Sequence, residues 1–324
     1  MSVFSKIRAV FNDRKGALLE LNSPQSLPPA DIHQAFYGYL FPRSAEVPLS
    51  VPQKLVIEHL KNSLPKREFR DKVVPRLPAV IPRLLRSLRN PKSSAKEYVE
   101  IINKDPAMSA AVLKLANSVY FNPIGKRIHD IDRAVVKLGI NGIRLVLSAA
   151  VMQPIIQRDA AYSMQTGQRL WFHAMECAVT CASTAQERGL EPFKAYLVGL
   201  VHDIGKITLF SELSKQFKLN SENIIPESNA FVPIMQLLAP ATSYWIARDW
   251  ELPTELCKAI AEQVSVNPGD KISPYGAILF EANLACETYV AIRPKDPVLA
   301  KTLLEELHIP KTVFTELDEL SREV

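Results

Sequence analysis

Along most of the chain, apolar residues recur at intervals of three and four, the spacing that lines one face of an α-helix. Ile81, Leu84, Leu85 and Leu88 form the clearest stripe, with Arg83, Arg86 and Arg89 on other faces. The same periodicity predicts helices over 2–11, 32–41, 53–64, 131–138, 170–187, 192–201, 231–250, 253–264, 274–292 and 297–307. No segment alternates apolar and polar residues as a half-buried strand would. The fold class predicted is all-α.

Punctuation sharpens this outline. Asp105-Pro106 starts a helix running to Ala116, with the proline in the first turn where its missing N–H costs nothing. Asp31 is a plausible N-cap after Pro28-Pro29, and Ser93 or Ser94 with Glu97 caps a helix running to Ile102. Gly139 and Gly189 end helices, and Ile204-Gly205-Lys206 closes the one that carries the apolar run 196–201. Pro42, Pro48 and Pro52 mark a stiff linker, and the polar stretch 211–228 reads as loop in part. The aromatic segment Phe36, Tyr37, Tyr39 and Phe41 reads as a packing surface for the neighbouring domain.

Composition leaves the outline globular: 47% hydrophobic and 23% charged residues. The most apolar run, 145–152, lies between Arg144 and Pro154 and is too short for a membrane span, so no span is expected. The first residues carry Lys6, Arg8, Asp13 and Arg14 without a signal-peptide core, which predicts a cytoplasmic protein. Four cysteines without CxxC spacing do not form a disulfide framework. The net charge of +5 is uneven, because 61–92 alone holds ten basic and two acidic residues. That stretch, with Arg83, Arg86 and Arg89, is either a solvated face or a docking surface for an acidic partner or nucleic acid.

His202-Asp203 is the most informative dipeptide, since an imidazole and a carboxylate at a helix end can converge on one metal. His173, Cys177 and Cys181 follow one helix stripe, but positions eight apart lie about 12 Å from each other along the axis and cannot surround one zinc. That stripe reads as core. Lys206 either contacts an anionic ligand or complements a helix dipole, and His33, His59 and His129 have no partner pattern. There is no GxSxG elbow, Walker A loop, GxGxxG or HExxH motif.

The segment Leu200-Val201-His202-Asp203-Ile204-Gly205-Lys206 resembles the signature of the HD phosphohydrolase superfamily. Leu77-Pro78, Asp105-Pro106, Leu113-Lys114-Leu115-Ala116-Asn117-Ser118 and Ala134 with Leu138-Gly139 resemble the first half of an HDOD (HD-related output domain). Trp171-Phe172-His173 resembles that family's first histidine, and Trp250-Glu251-Leu252-Pro253 its later turn. The resemblance covers roughly 75–292. It implies an HD-like multi-helix bundle of two packed helical subdomains, roughly 74–156 and 164–292, between an extension (1–73) and a tail (293–324).

The resemblance also implies a metal set of His173, His202 and Asp203, completed in catalytic relatives by an aspartate whose place here falls to Asn283. A neutral amide is a poorer ligand for a divalent cation and cannot act as a general base. Where relatives often carry further histidines this chain has Ala239 and Glu262-Gln263, and His308 is its only histidine after His202. The expectation is therefore a bacterial signalling module that binds a partner signalling protein or a ligand without catalysis and without a cofactor. The alternative is a phosphohydrolase with a single divalent metal, acting on a nucleotide or cyclic dinucleotide.

Overall fold

A computed structural model describes residues 29–41, 51–87, 95–118, 120–122, 125–156, 164–219, 228–264, 271–307 and 309–321. Among these residues every regular element is helical. In chain order the helices are α1 (Pro29–Leu40), α2 (Val51–Ser63), α3 (Arg67–Val73), α4 (Val80–Ser87), α5 (Ala95–Asn103), α6 (Pro106–Ala116) and α7 (Ile131–Ile156). They continue with α8 (Met164–Glu187), α9 (Pro192–Val201), α10 (Ile204–Leu219), α11 (Ser228–Asp249), α12 (Thr254–Glu262) and α13 (Pro274–Glu287). A π-turn (Thr288–Ile292), α14 (Pro297–Glu305) and α15 (Thr312–Ser321) complete the set. The helix expected over 2–11, the linker prolines Pro42 and Pro48, and the Ser93/Ser94 cap lie outside the described residues.

Polar caps followed by proline set several helix starts. Asp105 accepts hydrogen bonds from the Ala107 and Met108 amides, Glu191 from Lys194, Ser273 from Gly276 and Asp296 from Leu299. Each satisfies an amide that the first helical turn leaves without a partner. Asp31 is not a cap: α1 already begins at Pro29, which leaves Asp31 in the first turn. Pro52 likewise falls inside α2, in the first turn that tolerates it.

Gly139, at φ 67° and ψ −179°, ends the helix over 131–138 as expected, and a second helical segment starts at once on its far side, so the 26 residues of α7 are two segments that meet at a kink. Helix α7 is the one described helix long and apolar enough to cross a membrane, which the reading of 145–152 alone did not anticipate. Half of its most apolar window is buried, and it carries the buried Arg144, whose Nε donates to the Tyr98 hydroxyl at 2.9 Å. These are features of a core helix. The stretch from Ile204 does not end a helix; it begins α10, whose burial of Ile207, Leu209 and Leu213 carries helix to Leu219 through part of the expected loop. Between Thr288 and Ile292 the helix after α13 widens to π pitch.

One continuous apolar core runs from Phe36 to Leu317. At its centre α8 packs on α9, and α13 lies across both. Gly199 makes the close α8–α9 crossing possible, since a Cβ there would stand 2.6 Å from the Cys177 carbonyl oxygen. Gly205 does the same for α10 and α11: a Cβ would meet the Ser243 amide nitrogen at 2.6 Å, and the Gly205 N–H donates to Ser243 Oγ at 2.9 Å. Backbone cannot yield as a side-chain tip can, so Gly205→Ala is expected to cost about 1–3 kcal/mol, read as a lower midpoint in urea.

The extension and the later turn tie into this frame. Arg70 of α3 is buried, forks onto Asp249 (Nε–Oδ2 2.5 Å, Nη2–Oδ1 3.2 Å) and donates to the Leu64 carbonyl. Next to it Trp250 Nε1 donates to the Pro75 carbonyl at 3.0 Å. The Trp-x-Leu-Pro turn holds Glu251 at φ 54°, a left-handed conformation. Helix α1 lies against α8, α11, α13 and the π-turn, so its aromatic residues pack on the body of the fold.

Candidate functional site

The His-Asp dipeptide stands at a junction of two helices. Helix α9 ends at Val201, and the Asp203 carbonyl accepts the Lys206 and Ile207 amides that open α10. This sharp junction aims His202, Asp203 and Lys206 at one point. Helix α8 brings His173 and Cys177 to it, and α13 brings Asn283 and Glu287, one turn apart on one face. Helix α1 closes it from the side with His33, Phe36 and Tyr37.

Four donor atoms meet there. Asn283 Oδ1 lies 3.0 Å from His173 Nε2 and 3.1 Å from His202 Nε2. Asp203 Oδ2 lies 3.4 Å from each of the same two nitrogens. The His202 Nδ1–H donates to the Gly199 carbonyl at 2.7 Å, which fixes the ring and points Nε2 inward. Lys206 Nζ donates to Asp203 Oδ2 at 2.7 Å and stands 3.8 Å from Glu287 Oε1. Asn283 Nδ2 donates to the same Glu287 oxygen at 3.2 Å, while Glu287 Oε2 pairs with His33 Nδ1.

Aromatic rings seal this network. The Phe36 ring, fully buried, lies 4.3 Å from the His173 ring, itself 1% exposed. Lys206 Nζ faces the Phe36 and Tyr37 rings at 5.1 and 5.5 Å. The ammonium is thus held by one carboxylate at contact distance, a second nearby and two π-faces.

Burial and charge oppose each other at every member. Burial disfavours the charged form of Asp203, but His202, Lys206 and His173 outweigh it and hold the carboxyl well below its usual range. Burial likewise opposes the Lys206 charge, yet Asp203, Tyr37 and Glu287 keep the ammonium above its ordinary value. Glu287 is held low by His33, Lys206 and His173 against the same penalty. His202 is pushed down, chiefly by burial, despite Asp203.

A metal fits this set by spacing and not by charge. Atoms bound to one cation at about 2.0–2.2 Å stand about 3–3.5 Å apart, the range seen here among His173, His202, Asp203 and Asn283. But Asp203 is their single carboxylate, and the Lys206 ammonium already holds its inner oxygen. A divalent cation would face that ammonium with the negative charge of the set already offset by it. Cys177 lies near enough to count as a fifth donor, with Sγ, His173 and His202 atoms all within 4.8 Å. Burial pushes its thiol well above the ordinary range, so in the metal-free centre it is a protonated thiol.

The structure therefore brings together His173, His202, Asp203, Asn283 and Lys206, all five read from the sequence. For Lys206 the dipole reading fails, since it sits in the first turn of a helix, where the dipole gives it no support, and within the chain it pairs with Asp203. His33 has a partner after all, Glu287 at the edge of the cluster. Glu287 was missed, although its spacing of four from Asn283 was a usable signal. All four cysteines are buried and free. Of the basic stretch, Arg83 and Arg86 are exposed with Lys66, Arg67, Lys72 and Arg76, whereas buried Arg70 is internal and Arg89 lies outside the described residues.

Comparison with known proteins supplies the family context. The family model of the HDOD domain matches residues 74–266. A Geobacter sulfurreducens HDOD domain protein superposes with TM-score 0.58 at 21% identity, over 82% of this chain and 96% of its own. A Shewanella amazonensis SB2B protein with the provisional name metal-dependent phosphohydrolase superposes with TM-score 0.60 at 18% identity, over 84% and 99%. A second protein of that organism, provisionally named a phosphohydrolase, gives 0.52 at 20%, over 84% and 94%. These likenesses establish the all-helical HD-type fold.

Proposed function

The chain belongs to the HDOD family, and from that premise we propose that it is a regulatory module of bacterial signal transduction, cytoplasmic, acting through protein or ligand binding and without catalysis. The observation that carries this reading is the closed centre. Lys206 holds the one carboxylate of the metal set that the family resemblance implies, and buried Phe36 packs against the His173 ring. Asn283 stands where a general base would be needed, and an amide cannot take a proton. The residues that would work chemically instead tie α8, α10 and α13 together.

In such a module a partner acts by binding one arrangement of the helices more tightly than another. The two halves, 74–156 and 164–292, are the units we expect to shift. We take the exposed basic residues of 61–92 as a docking surface for a signalling protein with an acidic face. The 3.0–3.4 Å spacing of four donor atoms favours a second reading, a phosphohydrolase with one divalent metal acting on a nucleotide or cyclic dinucleotide.

Hydrolysis assays decide between the two. The full chain is incubated with mononucleotides and cyclic dinucleotides in the presence of manganese or nickel, beside the His202→Ala/Asp203→Ala double variant. We expect product formation by the native chain to stay at the level of the double variant. Metal-stimulated hydrolysis that the double variant loses would establish the second reading and remove the first.

A further inference from the structure

Helix α1 lies outside the matched span of 74–266, yet it supplies one wall of the centre. Its hold on the fold is tertiary throughout. His33 pairs with Glu287, Gln34 accepts from Gln236 at 3.2 Å, and Phe36 and Tyr37 face His173 and Lys206. At its C-terminal end, where helix carbonyls lack internal partners, Arg169 Nη1 donates to the Tyr39 carbonyl at 2.5 Å and Thr166 Oγ1 to the Leu40 carbonyl at 3.2 Å. Every one of these partners lies more than 100 residues away in the chain. Undocking α1 would break these contacts and leave the ladders of α8 and α9 whole.

The balance of docking is close. Burial of Ile32, Phe36, Tyr37, Leu40 and Phe41 favours it. The ordering of twelve residues opposes it with a magnitude of the same order, because a helix this short does not persist alone in water. A second cost lies under the helix. Glu176 of α8 is buried beside Tyr39, its Oε2 has no hydrogen-bond partner, and its charge acts on the Tyr39 hydroxyl. A buried carboxyl oxygen without a partner is a penalty that the docked state bears and that water would relieve if α1 left.

We propose that α1 is a detachable cap, bound in cis over the His-Asp-Lys centre, and that its release is a conformational change of its own through which this module signals, separate from any shift of the two halves. Release uncovers His173, Lys206 and the Glu287 carboxylate together, turning a sealed cluster into an accessible groove. The inference rests on the reading of the centre as a closed, non-catalytic cluster. Its failure is separable from that reading's, because the experiment follows α1 itself whereas hydrolysis follows the centre.

The experiment is native-state hydrogen exchange on the full wild-type chain at increasing, sub-denaturing concentrations of guanidinium. Amides of α1 are expected to exchange about 100-fold faster than those of α8 and α9, through an opening with little denaturant dependence. Phe36→Ala is expected to lower α1 protection by about a further tenfold and to leave α8 and α9 unchanged. Equal protection and equal denaturant dependence in α1, α8 and α9 would overturn the proposal, since α1 would then open only with the whole core. Loss of protection in all three helices of Phe36→Ala would overturn it as well.

Discussion

Asp203→Ala is expected to destabilise the protein by about 3–5 kcal/mol, the cost of removing one member of a buried ion pair and stranding the other. The stranded group is Lys206, almost wholly buried, whose remaining carboxylate stands at 3.8 Å and is already engaged by His33 and Asn283. Lys206→Met made in the same chain removes the stranded charge and is expected to restore most of the loss, a coupling that neither single variant shows. Urea unfolding of the four chains measures it. The pair also has a pH signature. The folded-state value of Asp203 lies well below its ordinary 3.8, so its contribution is present above that ordinary value and disappears as the pH falls through the folded one. Asp203→Ala should therefore flatten the acid limb of the stability curve. Additive losses with an unchanged acid limb would mean that Asp203 and Lys206 are not coupled as described.

The second large effect has the opposite sign. Burial pushes the Glu176 carboxyl up to about 8 in the folded chain, against an ordinary value of 4.5. In the unfolded chain the proton leaves near the ordinary value, and in the folded chain it stays on until about pH 8. Between these limits the folded state binds more protons, so its stability falls as the pH rises through this window. Glu176→Gln keeps the shape and removes the ionisation. The variant should be more stable than the native chain at pH 8 by on the order of 3 kcal/mol, with the gap closing toward pH 5. In thermal scans this corresponds to a melting temperature about 5 °C higher at pH 8. A gap that does not change with pH would contradict it.

What could be read in the sequence follows the range of the interactions. Asp105, Gly139 and Gly189 act on backbone within a few residues, so their roles are visible locally, and the structure keeps them. His173, His202, Asp203 and Asn283 are separated by as many as 110 residues, and only the resemblance of motifs brought them to one place before the fold did. Lys206 was visible but its meaning was not. Continuation of helix beyond Ile204 depends on burial of Ile207, Leu209 and Leu213 against other helices, which local glycine and polar signals cannot report. His33 and Glu287 meet across 254 residues, and no spacing rule connects them. Glu176 looks in sequence like one more polar position on α8, and only the packing of the fold makes it a buried acid.

Either Lys206 or a metal ion neutralises Asp203. Elemental analysis of the full chain settles this, after equilibration with equimolar zinc, manganese and nickel and removal of unbound ions, beside the Lys206→Met and Asp203→Ala variants. We expect the native chain to retain well under one equivalent of any of the three, no more than Asp203→Ala. One equivalent retained by the native chain and lost in Asp203→Ala would contradict the account and make the centre a metal site.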